Sequence, residues 1–352
     1  MRIAAFTRYG PRAASTRQRF VQYFPLLRDA GIEVDHYPLF DDDYVAALVT
    51  GERYPRTAVA SAYARRLRLL AEARRADLIW VYVELLPYLP AMAEAWALRG
   101  KPVVYDIDDA FFHAYDQSGN PLVRALLDGK HAALFRNAAA VVCGNAYLRE
   151  FAARFCPNSI TVPTVVDTDR YRPAPAMEPG APTIGWIGSP ATWCGVQPVL
   201  PVLAGLCASH GARFLVVGAG HAADADRFPE MEIRDWSEAT EIADVQEMDV
   251  GIMPLLDRPF ERGKSGYKLI QYMACGLPVV ASPVGVNADI VKEGGNGFLA
   301  STGQEWGTSL AKLLEDSNLR RSFGANGRKL AVERFSLASQ GPRLVELFRS
   351  LA

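Results

Sequence analysis

The chain has 352 residues, half of them hydrophobic and 22% charged, with a formal net charge of −1. That length accommodates two domains with separate cores, and so small a net charge excludes the broad electrostatic footprint of a nucleic-acid binder. The charge is uneven: residues 1–172 carry 22 Lys/Arg against 19 Asp/Glu (+3), and residues 173–352 carry 16 against 20 (−4). Five cysteines without a C-x-x-C pair read as reduced, buried thiols. Met1–Phe6 is too short and too soon polar for a signal peptide, and no run of about 18 apolar residues occurs. The expectation is a cytoplasmic protein that does not span a membrane.

Arg2–Thr7 predicts a first buried strand, then a loop through Arg17 and a helix from Gln18 to Ala30 closed by Gly31. The cations Arg8 and Arg17 and the hydroxyls Ser15 and Thr16 make this loop a candidate for facing an anion or a sugar, the alternative being a solvated loop. Ile32–Tyr37 predicts a second strand. Ala58–Arg75 predicts a helix carrying Arg65, Arg66, Arg68, Arg74 and Arg75. A solvated face is the preferred reading there, and an anionic membrane surface is the alternative.

Leu78–Val83, Val103–Tyr105, Ala139–Cys143 and Ser159–Pro163 supply four more strands, with helices between them. This alternation predicts a parallel, doubly wound sheet. Residues 170–182, with four prolines, read as a linker. A second series follows, with strands at Thr183–Ile187, Arg213–Val217, Val250–Met253 and Pro278–Ala281. The tail from Leu310 to Ala352 reads as helical, broken near Phe335 and Ser336. The fold class is α/β: two Rossmann-like domains facing across a cleft, 1–170 and 171–335, with a C-terminal helix at 336–352 packing back on the first.

Arg262-Gly263-Lys264-Ser265-Gly266 is a basic, glycine-bearing loop that opens a helix at Tyr267, before the apolar run Pro278–Ala281. Such a loop presents free backbone N–H groups and the positive end of a helix dipole, and Lys264 adds a full charge, so a phosphate site is expected here. Gly218–Ala223 matches a dinucleotide fingerprint in letters, but no apolar periodicity follows it, so NAD and FAD are set aside. Asp106-x-Asp108 could be a metal–nucleotide carboxylate pair; loop caps holding His113 and the first-loop arginines are preferred. His113 lies in a polar loop beyond a strand's carboxyl end, where ligands bind in such sheets. No Ser/His/Asp or Cys/His nucleophile set and no metal spacing stands out.

Val162–Tyr171 (VPTVVDTDRY), Leu215–Gly220, Lys268–Ser282 (KLIQYMACGLPVVAS), Gly285 and Gly297–Leu299 together resemble the interdomain, donor-helix and terminal motifs of family 4 glycosyltransferases. The resemblance is dense in the second half and loose in the first. It implies the GT-B fold and a retaining hexosyltransferase that moves a sugar from a UDP- or GDP-sugar to a glycan or lipid-linked acceptor, as in bacterial cell-surface polysaccharide biosynthesis. No metal or other cofactor is implied. Gly188, Ser189, Arg262, Lys264, Ser265, Gly266, Tyr267, Lys268 and Gln271 are then donor-binding, with His113 and Lys264 catalytic. Arg8, Ser15, Thr16, Arg17, Asp108 and Asp109 are expected at the acceptor, and the basic first half suggests peripheral contact with the inner face of the cytoplasmic membrane. Two departures stand out: the family's paired glutamates fall on Gly263 and Gln271, and its Arg/Lys pair is missing after Gly188. Arg262 and Lys264 are expected to supply that charge. A non-hydrolysing nucleotide-sugar epimerase and an inactive sugar-binding GT-B protein are the alternatives.

Overall fold

The computed structural model describes residues 1–50, 53–174 and 180–352. The chain divides into two compact units. Unit 1 comprises Met1–Thr164, Arg262–Ser265 and Gln340–Ala352, and unit 2 comprises Val165–Glu261 and Gly266–Ser339. Of the proline-rich segment 170–182, residues 175–179 lie outside the described residues.

Unit 1 is built on strands β1 (Arg2–Thr7), β2 (Glu33–Pro38), β3 (Leu78–Tyr82), β4 (Val103–Ile107), β5 (Ala140–Cys143) and β6 (Ser159–Thr161), in the order β2-β1-β3-β4-β5-β6. Every pairing is parallel. The central strands β3, β4 and β5 are buried along their whole length, so β3 and β5 read as unbroken apolar runs, and β4 is interrupted by Asp106 alone. Phe20 stacks on Trp80 at 3.9 Å between ring centres, and Phe348 of the last helix (Leu337–Leu351) meets the same tryptophan at 5.1 Å.

Unit 2 holds β7 (Thr183–Ile187), β8 (Arg213–Val217), β9 (Met231–Arg234), β10 (Val250–Met253), β11 (Val279–Ala281) and β12 (Gly297–Leu299), in the order β12-β11-β10-β7-β8-β9, again all parallel. The helix Tyr267–Ala274 is clamped to this sheet through Tyr272. Its hydroxyl accepts from the Ile187 N–H at 3.0 Å and donates to the Ile252 carbonyl at 3.3 Å. Gly251 is needed beneath the ring, because a Cβ there would lie 2.2 Å from it.

Several local expectations are revised. The helix predicted over 18–30 is two short helices, Ala14–Arg19 and Phe24–Asp29, joined by a 3₁₀ turn at Val21–Tyr23, because Pro25 has no N–H to continue the ladder. Strands β9 and β12 are short edge strands that periodicity did not mark. The arginine-rich helix spans Arg56–Ala73, and Arg66 does not lie on its surface. Its guanidinium is 1% exposed, lies over the Phe6 ring at 5.0 Å and donates to the carbonyls of Thr7 (2.6 Å) and Tyr37 (3.2 Å). Among the described residues, no helix is long and apolar enough to cross a membrane.

Candidate active site

In an open parallel sheet, ligands bind outside the carboxyl ends of the strands where the strand order reverses. In unit 2 that point lies between β7 and β10. The loop leaving β7 is Gly188–Ser189, and the chain beyond β10 returns as the helix that opens at Tyr267. Three close approaches draw the groups of this edge together. A Cβ on Gly188 would sit 2.8 Å from Lys268 Cε and 2.4 Å from the Trp186 ring, and one on Gly218 would sit 2.3 Å from the Gly188 carbonyl. A Cβ on Gly195 would meet the Pro254 carbonyl at 2.8 Å. The Lys268 ammonium stands 5.5 Å from the Trp186 ring centre. Gly266 caps the helix at φ +67°, and a Cβ there would press Ile290 at 2.5 Å, so conformation and space both require glycine.

Gln271 is buried on the same helix, and its amide donates to the Tyr171 hydroxyl at 3.2 Å. Tyr171 in turn donates to Glu241 at 2.7 Å, whose other oxygen accepts from Trp236 Nε1 at 3.0 Å. A carboxylate is therefore held in hydrogen-bonded sequence with Gln271, although position 271 itself is neutral. Ser189 is exposed and caps the 3₁₀ turn Pro190–Gly195 together with Thr192. Gly218–Ala223 leads into a 3₁₀ turn rather than an α-helix.

In unit 1 the segment Arg262–Ser265 is seated at the carboxyl ends of β4 and β5. Asn145 Nδ2 donates to the carbonyls of Gly263 (2.8 Å) and Lys264 (3.1 Å), and Ser265 Oγ donates to the Asp108 carbonyl. A Cβ on Gly263 would lie 2.5 Å from Ala110, so only glycine admits the approach. Lys264 Nζ forms an ion pair with Asp109 at 2.9 Å. Of the expected donor residues, Arg262, Lys264 and Ser265 thus belong to unit 1, and Gly188, Ser189, Gly266, Tyr267, Lys268 and Gln271 to unit 2. Within unit 2 the stem of Lys268 lies along Gly188.

Asp108 and Asp109 follow β4 in unit 1. Tyr82 donates its hydroxyl to Asp108 at 2.7 Å. Burial, and then the neighbouring Asp109 carboxylate, push the Asp108 carboxyl up to about 7. Asp106 is not a loop cap: it pairs with the buried Arg19 at 2.7 Å, and Arg19 also donates to the Val162 carbonyl at 2.9 Å. His113 opens the short helix His113–Asp116, with Nδ1 2.9 Å from Asp116 and Nε2 2.9 Å from the Tyr147 hydroxyl, so Asp116 holds it rather than Asp106 or Asp108. Thr16 is fully buried, and its hydroxyl donates to the Tyr9 carbonyl at 2.9 Å, which leaves it a role in shaping the loop. Ser15 lies beside the Tyr82 hydroxyl. Arg17 donates to the Pro11 carbonyl at 3.4 Å, and Arg8 is half-buried with its Nε lacking a hydrogen-bond partner. Asn145, Tyr147, Tyr171, Trp236 and Glu241 were not singled out from sequence. Asn145 alone carried a signal, as a helix N-cap immediately after a buried strand.

Asp108 gives a pH test. The folded chain retains a proton up to about 7 that a carboxyl at its ordinary value of 3.8 has lost, so the unfolded state binds fewer protons between these limits. Stability is expected to fall as pH rises through that window, and Asp108→Asn is expected to flatten the fall. Urea unfolding across the window measures both slopes; coincident slopes would show that Asp108 ionises as freely as in the unfolded chain. Among the described residues, no group of three or more His, Cys, Asp or Glu side chains is placed to hold a metal ion.

Residues 181–316 match the family model of Glycosyl transferases group 1. An uncharacterized glycosyltransferase of Methanocaldococcus jannaschii is 24% identical over 180 residues, 47% of this chain and 44% of that protein. The chain spans less than half the length of the curated relatives it matches. HepE of Anabaena in complex with UDP superposes with a TM-score of 0.72 at 16% identity, covering 100% of both chains. Sucrose-phosphate synthase of Thermosynechococcus elongatus gives 0.76 at 16% identity, over 99% of this chain and 98% of that one. At such identities the likeness establishes the fold, which is GT-B.

Proposed function

We infer that this chain, GT-B in fold and carrying a group 1 glycosyltransferase match over residues 181–316, transfers a sugar from a nucleoside diphosphate sugar to a glycan or lipid-linked acceptor. The observation that carries the reading is the convergence of Gly188, Lys268 and the glycine-capped helix N-terminus at the switch point of the second sheet. Breaking the sugar–phosphate bond places growing negative charge on the diphosphate, and fixed N–H donors with a cation beside them favour that charge most in the transition state. HepE, whose structure contains UDP, supports a uridine or related nucleotide for the donor.

In this reading Gly188, Ser189, Gly266, Tyr267 and Lys268 hold the diphosphate. The Gln271–Tyr171–Glu241 chain supplies the polar contact to the nucleoside where the family places an acid. Lys264 orients the loop through Asp109 instead of meeting phosphate. The acceptor is assigned to unit 1, at Arg8, Ser15, Arg17, Asp108 and Asp109, and His113 is the group offered to the sugar. Retention of anomeric configuration, a role in bacterial cell-surface polysaccharide assembly, and activity without a divalent metal belong to the same proposal.

A thermal-shift panel of nucleotides and UDP- or GDP-sugars tests it, since a ligand that binds only the native state raises stability by RT ln(1 + [L]/Kd). At least one nucleoside diphosphate is expected to shift the transition. NMR of the incubated nucleotide sugar with excess EDTA should then show free nucleotide and transferred sugar. A panel without any shift defeats the donor assignment, an epimer as product favours epimerase chemistry, and loss of turnover in EDTA restored by Mn²⁺ defeats the metal-free mechanism.

A further inference from the structure

A cavity of about 220 Å³ opens in unit 1 at the amino end of β4, between that strand and the helices Ala91–Ala97 and Lys130–Arg136. Val103 and Tyr105, on one face of β4, line it together with Ala95, Leu98 and Leu134. Gly100, at φ +82°, turns the chain into the strand, and no atom outside its chain neighbours lies within 4 Å of where its Cβ would be. At roughly 30 Å³ per water, the space holds about seven waters or one compact organic molecule.

Tyr105 distinguishes this cavity from a gap in the packing. Its side chain is 3% exposed and its ring packs against Phe135 at 5.8 Å. Among the described residues, no group hydrogen-bonds its hydroxyl. Buried tyrosine hydroxyls usually find a partner, because a donor taken out of water and left unpaired costs stability. Burial pushes this hydroxyl well above its ordinary value, and the Glu94 and Glu84 carboxylates push it the same way, so it is a neutral donor.

The polarity of the lining is ordered. Among the described residues that line the cavity, Arg99 and Lys101 are the only charged ones. Arg99 is exposed and Lys101 half-buried, which sets the cations at the mouth. Lys101 Nζ donates to the Ala76 carbonyl at 2.7 Å, and the carboxylate of the adjoining Asp77 accepts from the Arg2 N–H at 2.7 Å. Glu84 and Glu94 act on Tyr105 from the buried side, each paired with Lys130. A negative group is therefore favoured at the mouth, and an uncharged acceptor at the inner end. We propose that this cavity binds a small amphipathic carboxylate. Its anion meets Arg99 and Lys101, its apolar body lies against Leu98, Val103 and Leu134, and an oxygen at its far end accepts from the Tyr105 hydroxyl. Two residues of strand span about 6.6 Å, the reach of one six-membered ring with a polar group at each end. Asp108 and Asp109 follow the opposite, carboxyl end of β4, so the cavity is not the acceptor site. The proposal extends beyond the transferase reading and does not depend on it.

Calorimetric titration of the full chain with 4-hydroxyphenylacetate, phenylacetate and 4-hydroxyphenylacetamide tests it. The first should bind, and the neutral amide should bind at least about 10-fold more weakly for want of the charge-assisted contact. Phenylacetate, which lacks the far oxygen, should bind at least about 3-fold more weakly, the scale of one neutral hydrogen bond. Tyr105→Phe should bring the two acids to equal affinity without lowering the unfolding transition, since the hydroxyl has no protein partner to lose. Arg99→Gln should weaken 4-hydroxyphenylacetate at least about 5-fold. Ala95→Leu, which fills the cavity, should abolish its binding; if that variant does not fold, Tyr105→Phe decides alone. The idea is overturned if 4-hydroxyphenylacetate does not bind at millimolar concentration, or if the amide binds as tightly as the acid. It is overturned as well if Tyr105→Phe keeps the preference between the two acids, or if folded Ala95→Leu binds as the parent does. Displacement of the probe by an equal concentration of inorganic phosphate would reduce the site to an ion contact and likewise defeat it.

Discussion

Lys268→Ala is expected to lower kcat/KM for the nucleotide sugar at least about 100-fold, corresponding to roughly 2.7 kcal/mol of lost transition-state stabilisation. Its stem runs along Gly188 and its ammonium lies near the Trp186 face, in the first turn of the helix that Gly266 caps. A charge-assisted contact to the leaving diphosphate strengthens as the bond breaks, so kcat should fall together with kcat/KM. Lys264→Ala serves as the contrast. The sequence pointed first to Lys264, as the cation of the loop that opens the helix, but its ammonium is paired with Asp109 at 2.9 Å within unit 1. Its loss should therefore cost less than about 10-fold, well below the loss of a direct transition-state contact. Steady-state kinetics on both variants, with the Kd for UDP from thermal shift, decide the matter. Near-normal turnover of Lys268→Ala alongside a large loss at Lys264→Ala would return the phosphate contact to the loop.

The second large effect concerns stability. Lys130 is buried between two carboxylates, Glu84 at 2.6 Å and Glu94 at 2.8 Å, and also donates to the Leu86 carbonyl at 2.7 Å. Burial raises the Glu94 carboxyl above its ordinary value; at Glu84 burial acts in the same direction but is outweighed by Lys130, His131 and the Tyr115 hydroxyl, which lower it. Lys130→Ala would leave two buried acids without their cation, and breaking a buried pair in this way costs about 3–5 kcal/mol. The urea midpoint of the transition that reports unit 1 should fall accordingly. Lys130→Met combined with Glu84→Gln and Glu94→Gln should recover most of the loss, because no unpaired charge then remains. If Lys130→Ala alone unfolds within about 1 kcal/mol of the parent, water must reach the acids and the cluster is not the closed site its burial indicates.

The part of the fold legible in the sequence was the part governed by local rules. Ten of the twelve strands among the described residues announce themselves as short apolar runs bounded by turn residues, and their alternation with helices implies parallel sheets in both halves. The glycine that opens the helix Tyr267–Ala274 is legible for the same reason, since a left-handed cap at Gly266 is decided within a few residues of chain. Strands β9 and β12 escaped notice because edge strands of three or four residues carry too little pattern.

Tertiary structure alone decided which charges meet. Lys264 and Asp109 are 155 positions apart, and Gln271 and the hydroxyl of Tyr171 are 100 apart, so no spacing rule could join them. It decided that Arg262–Ser265 are seated in unit 1 while Lys268 stays in unit 2. It drew Arg66 out of an apparently basic surface, because three carbonyls at the edge of the first sheet and the face of Phe6 outweighed its hydration. It also exposed Met92, Trp96, Leu122 and Leu126, which hydrophobicity alone would have placed in the core. Periodicity reports which side of a helix is apolar. Whether that side meets protein or solvent depends on the partners the fold brings to it, and here Glu94 and Lys130 had already claimed the inward face.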